Sequence, residues 1–179
     1  MMKLVYLLVV MLLGSLIAIA QDSGTIPAQA ARGKVLFEKS EKGIPCATCH
    51  TLGGVGTAVG PDLKKLASLA MPRGLVMAMQ MSVTEYVQDV KIKGESFSGI
   101  QKSKTGDEIE VFDLSKMPPE LKKFSSKDIL SMTRNDKWKH PPASAGYTSK
   151  ELADLIGWLK WASMGSRKEV KVSEIEISQ

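Results

Sequence analysis

Histidine and cysteine are the scarcest reactive side chains of this sequence, with two of each in 179 residues. Two histidines exclude a three-imidazole zinc centre and most metallohydrolase ligand sets. Two cysteines exclude a disulfide scaffold. Aromatic residues make up only 6% of the chain, and no block of like charge interrupts it. The net charge of +5 is therefore spread out, and it leaves no footprint for nucleic acid. After Ala20 no apolar run is long enough to span a bilayer. What the chain has in ordinary amount is hydrophobic content, 44%. That supports one or two globular domains and excludes wholesale disorder.

The N-terminal segment reads as an address. Met1–Ala20 holds Lys3, an apolar run from Leu4 to Ile19 and the triplet Ala18-Ile19-Ala20, and polar Gln21, Asp22 and Ser23 follow. This is the layout of a secretory signal peptide cut after Ala20. The rival reading is an uncleaved anchor, although the run is short of the roughly 20 residues a spanning helix needs and carries Gly14 and Ser15 near its middle. Membrane contact is expected only if the segment stays uncleaved. Either way the remainder is exported.

Both cysteines and one histidine fall in Cys46-Ala47-Thr48-Cys49-His50. C-x-x-C-H is the attachment motif of c-type haem. Each thiol adds to one vinyl group of the macrocycle, and the adjacent imidazole reaches the iron as proximal ligand. Three other readings compete. A redox dithiol needs a βαβ context, which the flanks lack. A zinc site needs a second ligand pair, and none follows. A structural disulfide is possible in an exported protein.

The flanks are informative. Upstream, Ala30–Phe37 predicts a helix with Gly33, Leu36 and Phe37 on one face, where the glycine permits close approach of another helix. Downstream, the glycine-rich stretch from Gly53 to Leu63 excludes regular helix and suits a loop wrapping the edge of a flat ligand. Leu63–Met79 reads as helix. Near the C-terminus, Thr148 and Glu151 form a capping box ahead of a helical stripe of Leu152, Leu155, Ile156 and Leu159.

Between these helical parts the period changes to that of strands. Val87–Lys93, Ser96–Lys102 and Glu108–Leu114 predict a three-stranded β-meander. The tail from Val170 to Ile177 alternates as an extra edge strand would. Lys34, Lys39, Lys42, Lys64 and Lys65 gather in sequence around the C-x-x-C-H motif. They suit either a basic docking ring for an acidic partner or a plain solubilising face.

Gly33-x-x-x-Phe37, Cys46–His50 and Gly60-Pro61-Asp62-Leu63 together resemble class I c-type cytochromes. The β segment resembles, less specifically, the Sm- or SH3-like insert of some bacterial cytochromes c that accompany periplasmic dehydrogenases. The resemblance implies a mainly α, cytochrome c-like helical fold around one covalently bound haem c, with a small antiparallel β-meander inserted. The implied organisation is a signal peptide at 1–20, a haem domain at 21–164 with its insert at about 86–130, and a tail at 165–179. It implies that the Pro61 carbonyl accepts a bond from the second ring nitrogen of His50, and that the terminal helix crosses the helix carrying Gly33 and Phe37.

Three arrangements of the sixth iron ligand are compatible with the sequence. His140, in His140-Pro141-Pro142, stands eight residues before Thr148, at the loop position where family members carry Met-Pro. Trp138 beside it would shield the iron. Met117, in Met117-Pro118-Pro119, is the alternative, although Phe124–Leu130 would then have to act as the last helix, and a β insert would carry Met117 away. An open site is the third. The implied function is single-electron transfer in the bacterial periplasm, as partner or acceptor subunit of a dehydrogenase or oxidase, by a carrier rather than an enzyme. A haem-based small-ligand sensor or peroxidase-like protein with a labile distal ligand is the alternative.

Overall fold

The computed structural model describes residues 24–81, 86–142 and 146–176. The signal-peptide reading of 1–20 and the last alternating residues of the tail lie outside them.

Two helices cross at the heart of the helical part. Helix α1 (Ala28–Glu38) turns Ala30, Gly33 and Phe37 inward, at the spacings of three and four that one helix face requires. It lies against the C-terminal helix, Ser149–Met164. A Cβ on Gly33 would stand 1.9 Å from the Asp154 backbone oxygen, so only glycine allows this approach. Arg32 closes the crossing with two 2.8 Å bonds to the two carboxylate oxygens of Asp154, and the Phe37 and Trp158 rings pack 6.4 Å apart. The C-terminal helix starts at the Thr148–Glu151 capping box and stops at Gly165, whose φ of 70° is the left-handed conformation of a helix C-cap.

After α1 the chain makes a minimal hairpin, β1 (Thr51–Leu52) and β2 (Val55–Gly56). The helix expected over Leu63–Met79 is broken into α2 (Lys64–Leu69) and α3 (Pro72–Gln80). Pro72 is the cause: it cannot donate to the helical ladder, and it leaves Met71 extended at ψ 160°.

Five strands then form one antiparallel sheet: β3 (Gln88–Ile92), β4 (Glu95–Thr105), β5 (Glu108–Asp113), β6 (Glu120–Ser125) and β7 (Ile129–Arg134). Their order is β6-β5-β4-β3-β7, so the last strand returns to pair with the first. The C-terminal helix, Ser149–Met164, is α4. This sheet overturns the mainly helical, cytochrome c-like architecture expected from the sequence. Helix accounts for 33% of the described residues and strand for 26%, with four helices beside the five-stranded sheet. The protein is a mixed α and β structure.

The reason lies in residues 120–134. Phe124–Leu130, whose spacing allows a helix, forms instead the end of β6, a turn and the start of β7. Phe124 stacks 6.1 Å from Phe97, and Ile129 and Met132 pack against the buried cluster of Val90, Phe97, Ile109 and Val111. Asp107 holds the turn, its carboxylate accepting from Ser125 Oγ at 2.6 Å and its carbonyl from the Ser126 N–H at 2.7 Å. Cross-strand packing outweighs the local period. Register shifts at Lys91/Ile92 and at Gln101/Ser103 bend the sheet.

The tail also departs from expectation. Val170 and Ile175 are buried in the helical core, and Val172–Glu174 is a single 3₁₀ turn, not an edge strand. Gln29 fixes it, donating to the Val170 carbonyl and accepting from the Val170 N–H, both at 2.8 Å.

Candidate functional site

Cys46–His50 is one tight turn. Residues 46–48 form a 3₁₀ turn, and the N–H groups of Cys49 and His50 both donate to the Cys46 carbonyl, at 3.1 and 2.9 Å. The turn brings both cysteines and His50 to the lining of a cavity of about 470 Å³, well within the size range of small-molecule and cofactor sites. Helices supply Ala67, Leu75, Met79, Leu155 and Leu159 to its walls, the sheet region supplies Val87, Ile100 and Leu114, and loops supply Met117, Trp138 and His140. Among the described residues Asp62 and Lys139 are its charged lining side chains besides histidine. The cavity is thus largely apolar, with few polar groups to orient a ligand.

The glycine-rich loop clamps His50. Val59 and Gly60 both donate to the Cys49 carbonyl, at 3.1 and 2.7 Å. A Cβ on Gly60 would meet His50 Cε1 at 2.8 Å, and one on Gly56 would meet the His50 carbonyl oxygen at 2.0 Å. Neither position has room for a side chain. His50 Nδ1 donates to the Pro61 carbonyl at 2.8 Å, which assigns the ring proton to Nδ1 and the lone pair to Nε2. Burial lowers the pKa of His50 below the ordinary imidazole value, more than the Pro61 bond raises it, so the neutral ligating form is favoured at neutral pH. Asp62, next along, accepts from Thr51 Oγ1 at 2.6 Å and from the Lys64 N–H at 2.8 Å. These bonds hold its carboxyl below the usual range.

Cys46 and Cys49 are unbridged thiols. Burial pushes the Cys46 thiol up to about 11 and raises that of Cys49 as well. A redox dithiol works through a thiolate stabilised near or below neutral pH, so this environment disfavours that reading. The zinc reading lacks support too: among the described residues no group of three or more His, Cys, Asp or Glu could hold a metal ion.

His140 meets His50. Their ring centroids are 5.9 Å apart with planes at 30°. His140 Nδ1 donates to the Pro141 carbonyl at 2.6 Å, which directs its lone pair to Nε2 as in His50. The Trp138 ring stands perpendicular to the His140 ring, with centroids 6.1 Å apart and planes at 87°. Met117 lines the same cavity. Contrary to the expectation from sequence, the sheet does not carry Met117 away; the β5–β6 connection folds back over the cavity. Of the five lysines singled out, Lys34 is paired with Glu38 and Lys42 with Glu151, while Lys39, Lys64 and Lys65 are exposed.

Asn135 was not singled out from sequence. It is buried at the end of β7, and its side-chain oxygen accepts from the N–H groups of Lys137 and Trp138, at 2.9 and 2.8 Å. The signal was local: Asn135-Asp136 after a strand is turn chemistry, the asparagine side chain bonding the backbone two residues on.

These residues fit an iron macrocycle better than a bare ion. Two histidines and two cysteines would be donors enough for a zinc ion, but among the described residues no three such side chains are placed to hold one, whereas a porphyrin would bring its own four nitrogens. The His50 and His140 rings, 5.9 Å apart at this cavity, are the side chains that would hold such a group. No protein-family model matches this chain, and no curated protein matches it.

Proposed function

We propose that this chain is a mono-haem c-type cytochrome of the bacterial periplasm, passing single electrons as partner or subunit of a dehydrogenase or oxidase. One observation carries the reading: His140 faces His50 at an apolar cavity that both cysteines of the C-x-x-C-H motif line.

The haem iron, when bound, supplies one-electron chemistry between its ferric and ferrous states. The protein's part is to hold, orient and seal. Cys46 and Cys49, unbridged and at the cavity wall, would be the thioether anchors. His50 would be the proximal ligand, its plane set by the Pro61 carbonyl and by Gly60, which has no room for a side chain beside Cε1; such outer partners fix tautomer and basicity. His140 would supply the second protein ligand to the iron, with Trp138 packed perpendicular to its ring. A second imidazole in place of a thioether favours the ferric state and lowers the reduction potential. Leu75, Leu155 and Leu159 keep the cavity apolar and exclude water. Export by the N-terminal segment accords with attachment outside the cytoplasm.

A pyridine haemochrome spectrum of the purified, acid-acetone-washed protein tests this. Covalent haem at one per chain supports it; a colourless polypeptide contradicts it.

A further inference from the structure

The sheet is not bystander structure: we propose that Asn135 is a positioning residue that couples it to the distal ligand His140, an inference that rests on the haem reading above.

Asn135 is only 8% exposed and its amide is fully engaged. On the sheet side, Nδ2 donates to Asp89 Oδ1 of β3 at 2.6 Å and to Ser98 Oγ of β4 at 3.1 Å. On the loop side, Oδ1 accepts from the N–H groups of Lys137 and Trp138, at 2.9 and 2.8 Å. Its own N–H donates to the Val87 carbonyl at 2.9 Å. A primary amide has two N–H donors and two acceptor lone pairs, and all four are used here.

Among the described residues, Asn135 is the buried side chain that hydrogen-bonds both the sheet and the loop leading to His140. Asp136 pairs with Arg134 at the surface, and Lys137 and Lys139 are exposed. The turn at Asn135 sets the direction of Trp138, and Trp138 packs perpendicular to the His140 ring. The chain of contacts runs from β3 and β4 through Asn135 and Trp138 to the imidazole that faces His50. Each link is a packed or hydrogen-bonded contact, so loosening Asn135 frees the distal loop without touching Cys46, Cys49 or His50. The sheet then serves to hold a histidine at the iron from a loop that has no secondary structure of its own.

The test compares the holoprotein with three variants. Asn135→Ala removes both sides of the link. Asn135→Asp keeps the loop-side acceptor but sets a carboxylate against Asp89; adding Asp89→Asn reverses the pair and restores the bond. Val111→Ala loosens the sheet core, where Val111 is fully buried, without touching Asn135. The readouts are the ferric spin state and the binding of carbon monoxide to the reduced protein, at a temperature where circular dichroism shows every variant folded. The expected result is a high-spin ferric fraction and about tenfold stronger apparent carbon monoxide binding in Asn135→Ala, because the unligated distal state becomes more populated. Asn135→Asp shifts the same way, the Asn135→Asp/Asp89→Asn pair returns to wild type, and Val111→Ala stays low-spin.

An unchanged spectrum in Asn135→Ala overturns the proposal, as does an equal shift in Val111→Ala. A far-red thioether-to-iron band in the ferric wild type puts methionine at the iron; it overturns the role of Asn135 and leaves the haem reading standing. A wild type without covalent haem removes both.

Discussion

The imidazoles of His50 and His140 stand 5.9 Å apart, although one belongs to a tight turn and the other to a proline-flanked loop ninety positions further on. Each donates through Nδ1 to a proline carbonyl, Pro61 for His50 and Pro141 for His140, at 2.8 and 2.6 Å. The two rings thus share one tautomer, with Nε2 as the basic atom, which is the form a metal requires.

His140→Ala converts the ferric protein from low-spin to high-spin, read in its visible absorption, and opens the reduced protein to carbon monoxide. On the proposed bis-histidine ligation, Met117→Ala leaves both properties unchanged, although Met117 lines the cavity. The converse pattern would reassign the sixth position to Met117.

His140→Met raises the reduction potential. A thioether stabilises ferrous haem relative to an imidazole, and axial ligation accounts for shifts within a span of about 0.8 V across haem proteins. Potentiometric titration of both proteins measures the difference. A potential that falls or stays constant contradicts bis-histidine ligation.

Gly60→Ala acts on the proximal side. Its new methyl would meet His50 Cε1 at 2.8 Å, forcing the ring from its bond to Pro61 or the loop from its two bonds to Cys49. The expected loss of stability is about 1–3 kcal/mol, measured by urea unfolding, together with a change in the ferric spectrum that a remote substitution of equal cost does not produce.

How much of this was legible in the sequence depends on how local each signal is. The Cys46–His50 turn, the Gly33 helix face and the Thr148–Glu151 cap depend on residues within one or two turns of each other, and their spacing shows. The sequence pattern shows three strands where the sheet has five, because β6 and β7 carry few core residues. Phe124, Ile129 and Met132 make sense only against Phe97 and Val90 across the sheet, and no local period reveals that. That shortfall is why a mainly helical fold was expected where a mixed one is observed. The position of Met117 at the cavity is hidden for the same reason: the path of the β5–β6 connection is a tertiary fact. The histidines were legible by scarcity, since a chain with only two invites the question of whether they meet.

Glu151 predicts an acid-sensitive contribution to stability. The Lys42 ammonium, at 2.7 Å from both carboxylate oxygens, and the bonds from Thr148 depress its carboxyl from the ordinary 4.5 to about 2. A depressed carboxyl stabilises the fold above its unfolded pKa and loses that effect as pH falls through the folded value. Glu151→Gln should therefore melt lower than wild type at pH 7, with the gap closing between about pH 4.5 and pH 2. Thermal melts across that range, under constant salt, measure it; a gap independent of pH shows that the carboxylate charge does not matter.

The most direct test of the central claim is the intact mass of the chain exported from a bacterial host that attaches c-type haem. The account predicts the polypeptide plus one haem, lost entirely in the Cys46→Ala/Cys49→Ala double variant. The bare polypeptide mass, or that mass less two hydrogens for a Cys46–Cys49 disulfide, would contradict it.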